Sequence, residues 1–521
     1  MAEEGIHLGA AHLGRIGLHG AARLVTCLQF LAVPLDQPWL LGVALHGSAG
    51  GHQDPFVRAT KGRAVARCSI RSHASIQTAP HPRRRDALIF SHPAPVSGAD
   101  DTADHTIEPA AAEPPWRQQL RASLGDLPAV RRRRLRSLAP AGAAALQPAA
   151  PEGATEARAG EASSPPPSPL LDLASNDYLG LSRDPAVLAA AAAELHASGL
   201  GATASRLICG TRPVHLELEQ ALAAWLGRER VLLFPSGFQA NLAAVCALAD
   251  RHSLVLADRL IHHSLLAGVR ASGARLKRFA HNDPADLERL LLSERRARPE
   301  ARLLVLCESL YSMEGSTSPL AALASLCARH RVPLLVDEAH ALGVLGPGGR
   351  GLAHDCSQVA IVSGTFGKAF GSGGAFLAGD SLVGDWLLQS SGAFRYTTAL
   401  APPLAAGALA ALGQIQSDPE AASALLERCG RWRDALEAAG WPRPAGEGPI
   451  LSVRLGDDAA ALAAQERLEA AGLLALAIRP PTVPEGTARL RLVLRAGLPS
   501  NALDKLLEAL GPGPRLSPAS P

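Results

Sequence analysis

Lysine is nearly missing from this chain: Lys61, Lys277, Lys368 and Lys505 stand against 47 arginines in 521 residues. The skew runs the whole length alongside abundant Ala, Gly and Pro, so it reads as a composition bias. Arginine clusters therefore carry little evidence for a nucleic-acid partner, and a formal net charge of +3 leaves no strongly polarised surface to seek one. The eight cysteines form no C-x-x-C pair and no regular spacing, which argues against a zinc site or a disulfide framework and makes a reducing compartment the default. No run reaches the roughly 18 apolar residues that a membrane span needs. The apolar stretch "LVTCLQFLAVPL" (24–35) is broken by Pro34, and the opening MAEEG is acidic where a secretory signal requires positive charge. The expectation is a cytoplasmic protein without membrane or nucleic-acid partners.

What is present divides along the chain. At this length more than one domain with tails is expected. Residues 1–112 hold nine of the eighteen histidines, show no sustained period and end in Pro- and acid-rich text. They read as a poorly ordered or unassigned extension; a histidine-rich metal site is the weaker alternative, since the spacing is irregular. Residues 113–170 read as a helix, "WRQQLRASLGDLPAVRRRRLRSL", followed by a low-complexity arm. In 171–402, apolar runs alternate with Ala/Leu-rich amphipathic stretches: "RVLLF", "SLVLA", "RLLVLCE", "VPLLVD", "VAIVS" and "GAFLAG". Continuous apolar strands alternating with helices predict an α/β domain whose mostly parallel sheet is covered on both faces. Residues 403–511, with "GPILSVRLG" and "ARLRLVLRAG", predict a smaller α+β domain, and 512–521 a tail.

One of the four lysines sits in "SGTFGKAFG" (363–371), directly after an apolar run. A phosphate loop would need G-x-x-x-x-G-K-[ST]; only two residues separate Gly364 from Gly367, and Ala369 replaces the required hydroxyl. A covalent role for Lys368 predicts other things nearby: an acid for a pyridine nitrogen, a phosphate cup and a flat partner for a ring. "VPLLVDEAH" ends a strand on Asp337, a carboxylate expensive to bury unpaired, with His340 three residues on. "FPSGFQAN" joins a strand to a helix start through Gly237 and Phe238, where free N–H groups converge on an anion. "ADRLIHHSL" offers His262 or His263, and "CESLYSMEG" offers Ser312. Singly, each has a bland reading: a helix-capping Asp, a loop histidine pair, an ordinary strand–turn–helix junction. Jointly, these strand ends suit pyridoxal 5′-phosphate (PLP), and ligands of such sheets bind at strand carboxyl ends.

The set "SNDYLGL", "GATASRLICGTRPVHLELEQALAAWLG", "PSGFQAN", "DRLIHHSL", "ESLYSMEGSTSPL", "VDEAHALGVLGPGGRG" and "TFGKAFG" resembles the α-oxoamine synthases over roughly 116–510. These are fold-type I PLP-dependent transferases that condense an amino acid with an acyl thioester. The resemblance implies Lys368 as the Schiff-base lysine, Asp337 as partner of the pyridine nitrogen and His262 as the stacking residue. It also implies Ser312 and His340 near the phenolic oxygen, and Gly237, Phe238 and Thr365 around the phosphate. The segment "AIRPPTVPEGTARLRLVL" resembles members that join L-alanine to a pimeloyl thioester, on CoA or a carrier protein. There Arg479 is implied to grip the amino acid's carboxylate and Thr482 to line the substrate pocket. The family's acyl-contacting arginine falls within Arg131–Arg134, with Arg132 the expected residue. A homodimer is implied, with "FRYTTALAPP" (394–403) a candidate to reach across. A glycine- or serine-using sister, or a non-catalytic binding protein of the same fold, are the alternatives.

Overall fold

The computed structural model describes residues 113–149 and 168–513; the extension expected over 1–112 with its histidines, and the tail beyond residue 513, lie outside the described residues. Three short strands come first: β1 (Leu138–Pro140), β2 (Ala145–Pro148) and β3 (Leu170–Asp172). The strands β4 (Arg230–Phe234), β5 (Ser253–Asp258), β6 (Arg275–Phe279), β7 (Arg302–Glu308), β8 (Leu334–Asp337), β9 (Val359–Thr365) and β10 (Ala375–Gly379) form one seven-stranded sheet. Its order is β4-β10-β9-β8-β7-β5-β6. The pairs from β9 to β6 are parallel; only β10 runs antiparallel, against both β9 and β4.

The central strands are buried almost throughout, as continuous runs of Leu, Val and Ile require when helices cover both faces. β6 was not legible in the sequence because "RLKRF" is charged and four of its five residues are exposed. It is an edge strand, where charges face water and discourage pairing with another chain. A second sheet, β11 (Ile450–Gly456), β13 (Leu476–Ile478) and β14 (Ala488–Val493), is antiparallel in the order β11-β14-β13. β12 (Leu473–Leu474) pairs with β3. The helix Pro402–Ser417 contributes Ala405, Ala408, Leu412 and Ile415 to the core of the large sheet, so that core extends past residue 403.

Two local differences have clear causes. The first helix covers Pro115–Gly125 only, because Asp126 and Pro128 end it and the arginines beyond are extended or in a single 3₁₀ turn. Part of the stretch read as an arm is a hairpin: Ala145 and Leu146 pair with Leu171 and Leu170, carrying Ala144 into a buried cluster. Among the described residues no helix is long and apolar enough to cross a membrane, no metal-ligand cluster is present and six cysteines are unpaired.

Candidate active site

The glycines of "SGTFGKAFG" have separate reasons. A Cβ on Gly364 would come within 2.4 Å of the Phe376 ring and 2.6 Å of Leu342, so β9 can pass there only without a side chain. Gly371 has φ of 62° and lies against the Leu181–Ser182 backbone, closing the turn that follows Lys368. The turn is held by Gly371 N–H donating to Lys368 O at 2.9 Å and Phe366 N–H to Gly374 O at 2.9 Å. Lys368 is thereby fixed beyond the carboxyl end of β9, next to the end of β8.

The lysine lines a cavity of about 210 Å³ together with Gly237, Phe238, Asn241, His262, Glu308, Asp337, His340 and Thr365. Burial brings its amine down to about 8, opposed by Asp337 and Glu308 and assisted by Arg491. Asp337 accepts hydrogen bonds from Asn241 Nδ2 (2.7 Å) and from Ala339 N–H (2.9 Å). Glu308 is its register partner on the neighbouring strand, is 2% exposed and has no partner for Oε1. Burial and the adjacent Asp337 push the Glu308 carboxyl well above the usual range, which keeps a proton on it, while both oxygens of Asp337 accept hydrogen bonds.

At the helix start, Ser236 caps Gly237–Leu248 by accepting from Gln239 N–H, leaving the first N–H groups of the helix at the cavity wall. Thr365 Oγ1 donates to Gly374 O at 3.0 Å and accepts from Gly367 N–H at 3.3 Å. His340 is buried, and its Nδ1 lies 2.6 Å from Tyr178 OH. The Tyr178 oxygen also accepts from Arg491, and its hydroxyl lies 3.4 Å from Asn176 Oδ1. Burial pushes the His340 imidazole well below its ordinary pKa and keeps it neutral.

His262 also borders a second cavity of about 550 Å³, with Arg259, Arg278, Ser312, Thr482 and Val483 among its walls. Ser312 thus faces the second cavity rather than the first, and its carbonyl accepts from Arg491 Nε at 2.6 Å. Thr482 Oγ1 accepts from Arg133 Nη2 at 2.9 Å. Two arginine expectations meet a different geometry. Arg132 turns back onto the carbonyls of Leu124 and Leu127, satisfying the end of the short helix, while Arg133 is the neighbour that reaches Thr482. Arg131 is committed to Asp458 and Glu485. Arg479 donates to Val130 O and lines neither cavity.

Sequence reasoning missed Asn241, Ser264, Glu308, Tyr178 and Arg491, although each falls in or beside a stretch already singled out. Arg491 carried a usable signal: it sits mid-strand in β14, where all six residues are buried. A buried guanidinium needs partners or a ligand; it has Ser312 O and Asn176 Oδ1 (2.9 Å).

Comparison with known proteins agrees with this arrangement. The family model described as "Aminotransferase class I and II" matches residues 168–510. An 8-amino-7-oxononanoate synthase of Chromohalobacter salexigens is 45% identical over 346 residues, 66% of this chain and 89% of the relative. A serine palmitoyltransferase structure with PLP superposes with a TM-score of 0.63 at 30% identity, covering 66% of this chain and 87% of that one. The 8-amino-7-oxononanoate synthase structure from Francisella tularensis gives 0.56 at 27% identity, over 66% and 96%. With its strand-end lysine, aspartate and histidines gathered round one cavity, the chain belongs to the class I and II aminotransferase family, in its PLP-dependent α-oxoamine synthase branch.

Proposed function

We propose that the chain joins L-alanine to a pimeloyl thioester with loss of carbon dioxide, the reaction of an 8-amino-7-oxononanoate synthase in biotin biosynthesis. The observation that carries this reading is the position of His262, whose ring borders both cavities. One cavity holds the lysine and acid that PLP needs; the other has room for an acyl chain and opens to solvent past arginines.

The residues present fit PLP. Asp337 is a carboxylate at one end of the smaller cavity, the Gly237 helix start would supply N–H donors for a phosphate beside Thr365, and Lys368 would tether the aldehyde carbon. The orphaned Glu308 Oε1 marks a polar wall that awaits a ligand atom. When bound, PLP supplies a protonated ring that withdraws the electron pair left on the amino acid's α-carbon. Asp337 would keep a proton on the adjoining nitrogen, and the buried, neutral His340 would stand near the ring oxygen. Lys368, once free, takes the α-proton at Nζ, which its lowered pKa permits near neutral pH.

The amino acid's carboxylate is assigned to Arg491 rather than Arg479: neither guanidinium lines either cavity, but Arg491 is buried against Ser312, which borders the larger one, while Arg479 is turned to Val130 O. R491A is expected to raise the KM for alanine by about 10- to 100-fold, the scale of one lost charged hydrogen-bond pair. R479A, whose guanidinium is turned to Val130, is expected to cost less. Steady-state kinetics against alanine concentration separates the two.

The second cavity suits the thioester. Arg259 and Arg278 line it, and among the described residues neither has an ion-pair or side-chain hydrogen-bond partner. R259A and R278A are expected to raise the KM for a CoA thioester by roughly 3- to 10-fold at low salt, with the difference shrinking as salt screens the phosphates. We further infer a cytoplasmic homodimer. Ile208 and Tyr396 are each 80% exposed, which leaves apolar surface for a second copy, and unpaired cysteines suit a reducing compartment.

The deciding assay is thiol release from pimeloyl and short acyl thioesters with alanine, glycine or serine. Fastest release with alanine and the pimeloyl thioester supports the reading; faster release with glycine or serine replaces it with a sister synthase.

A further inference from the structure

Four side chains at the bottom of the smaller cavity form one continuous hydrogen-bonded chain. His262 Nδ1 is 2.7 Å from Ser264 Oγ, Ser264 Oγ is 2.9 Å from Asn241 Nδ2, and Asn241 Nδ2 is 2.7 Å from Asp337 Oδ2. Asn241 and Ser264 are buried, at 3% and 0% exposure. Only one arrangement of protons satisfies every link. The Asn241 amide must turn its NH₂ to Asp337, because its oxygen would otherwise face a carboxylate oxygen. The second hydrogen of that NH₂ then goes to Ser264 Oγ. The Ser264 hydroxyl, already accepting, sends its own proton to His262 Nδ1. The main-chain N–H of Ser264 points at the same nitrogen from 3.3 Å, so Nδ1 receives two donors and cannot carry a hydrogen itself.

We propose that Asn241 and Ser264 are positioning residues that lock His262 as the neutral Nε2–H tautomer, so that His262 serves both cavities as a hydrogen-bond donor and not as a base. The relay starts at the anion of Asp337, which polarises each donor along the line. It ties the orientation of the stacking ring to the charge beside the cofactor nitrogen. Sequence placed both residues within "PSGFQAN" and "HHSL" but gave them no task; the contact joins the second turn of the helix Gly237–Leu248 to the first turn of the helix His263–Ser272.

The charges around His262 agree with a neutral ring. Packing around it lowers its pKa first, Asp337 opposes that, and Lys368 and His263 add to the lowering. Its main-chain N–H is held by the Glu308 carboxyl, which is itself protonated. Losing the Ser264 hydroxyl removes one of the two donors to Nδ1, so the ring takes up a proton at higher pH than in the native protein, while burial, Lys368 and His263 still hold it below the ordinary histidine range.

The inference rests on the PLP reading of the site but not on the identity of either substrate. The test is therefore read first on the PLP-loaded enzyme without substrates. The visible absorbance of native protein, S264A and S264T is titrated from pH 5 to 9. Native and S264T are expected to give the same spectral titration, and S264A one whose low-pH transition is displaced to higher pH. A superimposable native and S264A titration overturns the relay. The second arm compares H262Q with H262A in thiol release. A glutamine keeps an N–H donor near the Nε2 position while losing the ring, as alanine does. The donor reading expects H262Q to retain at least about ten times the turnover of H262A; equal losses make His262 a base or a stacking plate alone and overturn the donor role. Absence of any product with alanine would count against the substrate assignment while leaving the absorbance test standing.

Discussion

Lys368→Ala is expected to lower turnover by at least about 10⁴-fold, because one change removes both the tether for the cofactor and the base for the α-proton. The structure explains why this lysine, and neither of the other described ones, can do the work. Burial places its amine at about 8, so roughly a tenth is neutral at pH 7, against fewer than about one in a thousand for an ordinary lysine. Of the other described lysines, Lys277 is ion-paired to Glu294 at 2.5 Å on the edge strand, and Lys505 lies on the last helix. The variant is expected to keep binding PLP reversibly through the Gly237 turn, Thr365 and Asp337. Equilibrium dialysis with absorbance spectra measures retention, and thiol release measures the loss. Turnover within tenfold of native in the variant would mean that the lysine is a bystander.

The second large effect belongs to Asp337→Asn. The substitution keeps the shape and removes the charge, so the ring nitrogen loses the anion that holds its proton. A loss of about 10²- to 10³-fold in kcat is expected, the range found when one preorganised electrostatic partner is removed. Stability should suffer too. Asp337 accepts from Asn241 and from Ala339 N–H, and an asparagine can accept only one of them without setting two donors face to face. One lost buried hydrogen bond corresponds to about 1–3 kcal/mol, visible as a lower Tm in the cofactor-free protein. A variant with native kcat and a lowered Tm would assign Asp337 to structure alone.

Much of this was legible beforehand, for physical reasons that differ by element. β4 and β7 could be bounded from "RVLLF" and "RLLVLCE" because a strand covered on both faces must be apolar along its whole length. β6 lacked that signal, being exposed and charged, and only its parallel pairing with β5 makes it a strand. The strand-end residues Asp337, His262, His340 and Lys368 announced themselves by position, since polar groups at the carboxyl ends of buried strands have few structural excuses. The arginines did not. In a chain where arginine replaces lysine almost everywhere, Arg132, Arg479 and Arg491 look alike until the fold assigns each a neighbour.

The sequence by itself determined the alternation of buried strands and helices, the solitary lysine at a strand end and the acid that stands beside it, because apolar runs and rare residue types are local properties of the chain. Tertiary structure alone decided which guanidinium reaches Ser312 and Asn176, which carboxyl keeps its proton and which side chains link His262 to Asp337. Those outcomes depend on distances between residues 23 to more than 300 positions apart, as from Asn241 to Ser264 or from Asn176 to Arg491. Only folding sets such distances.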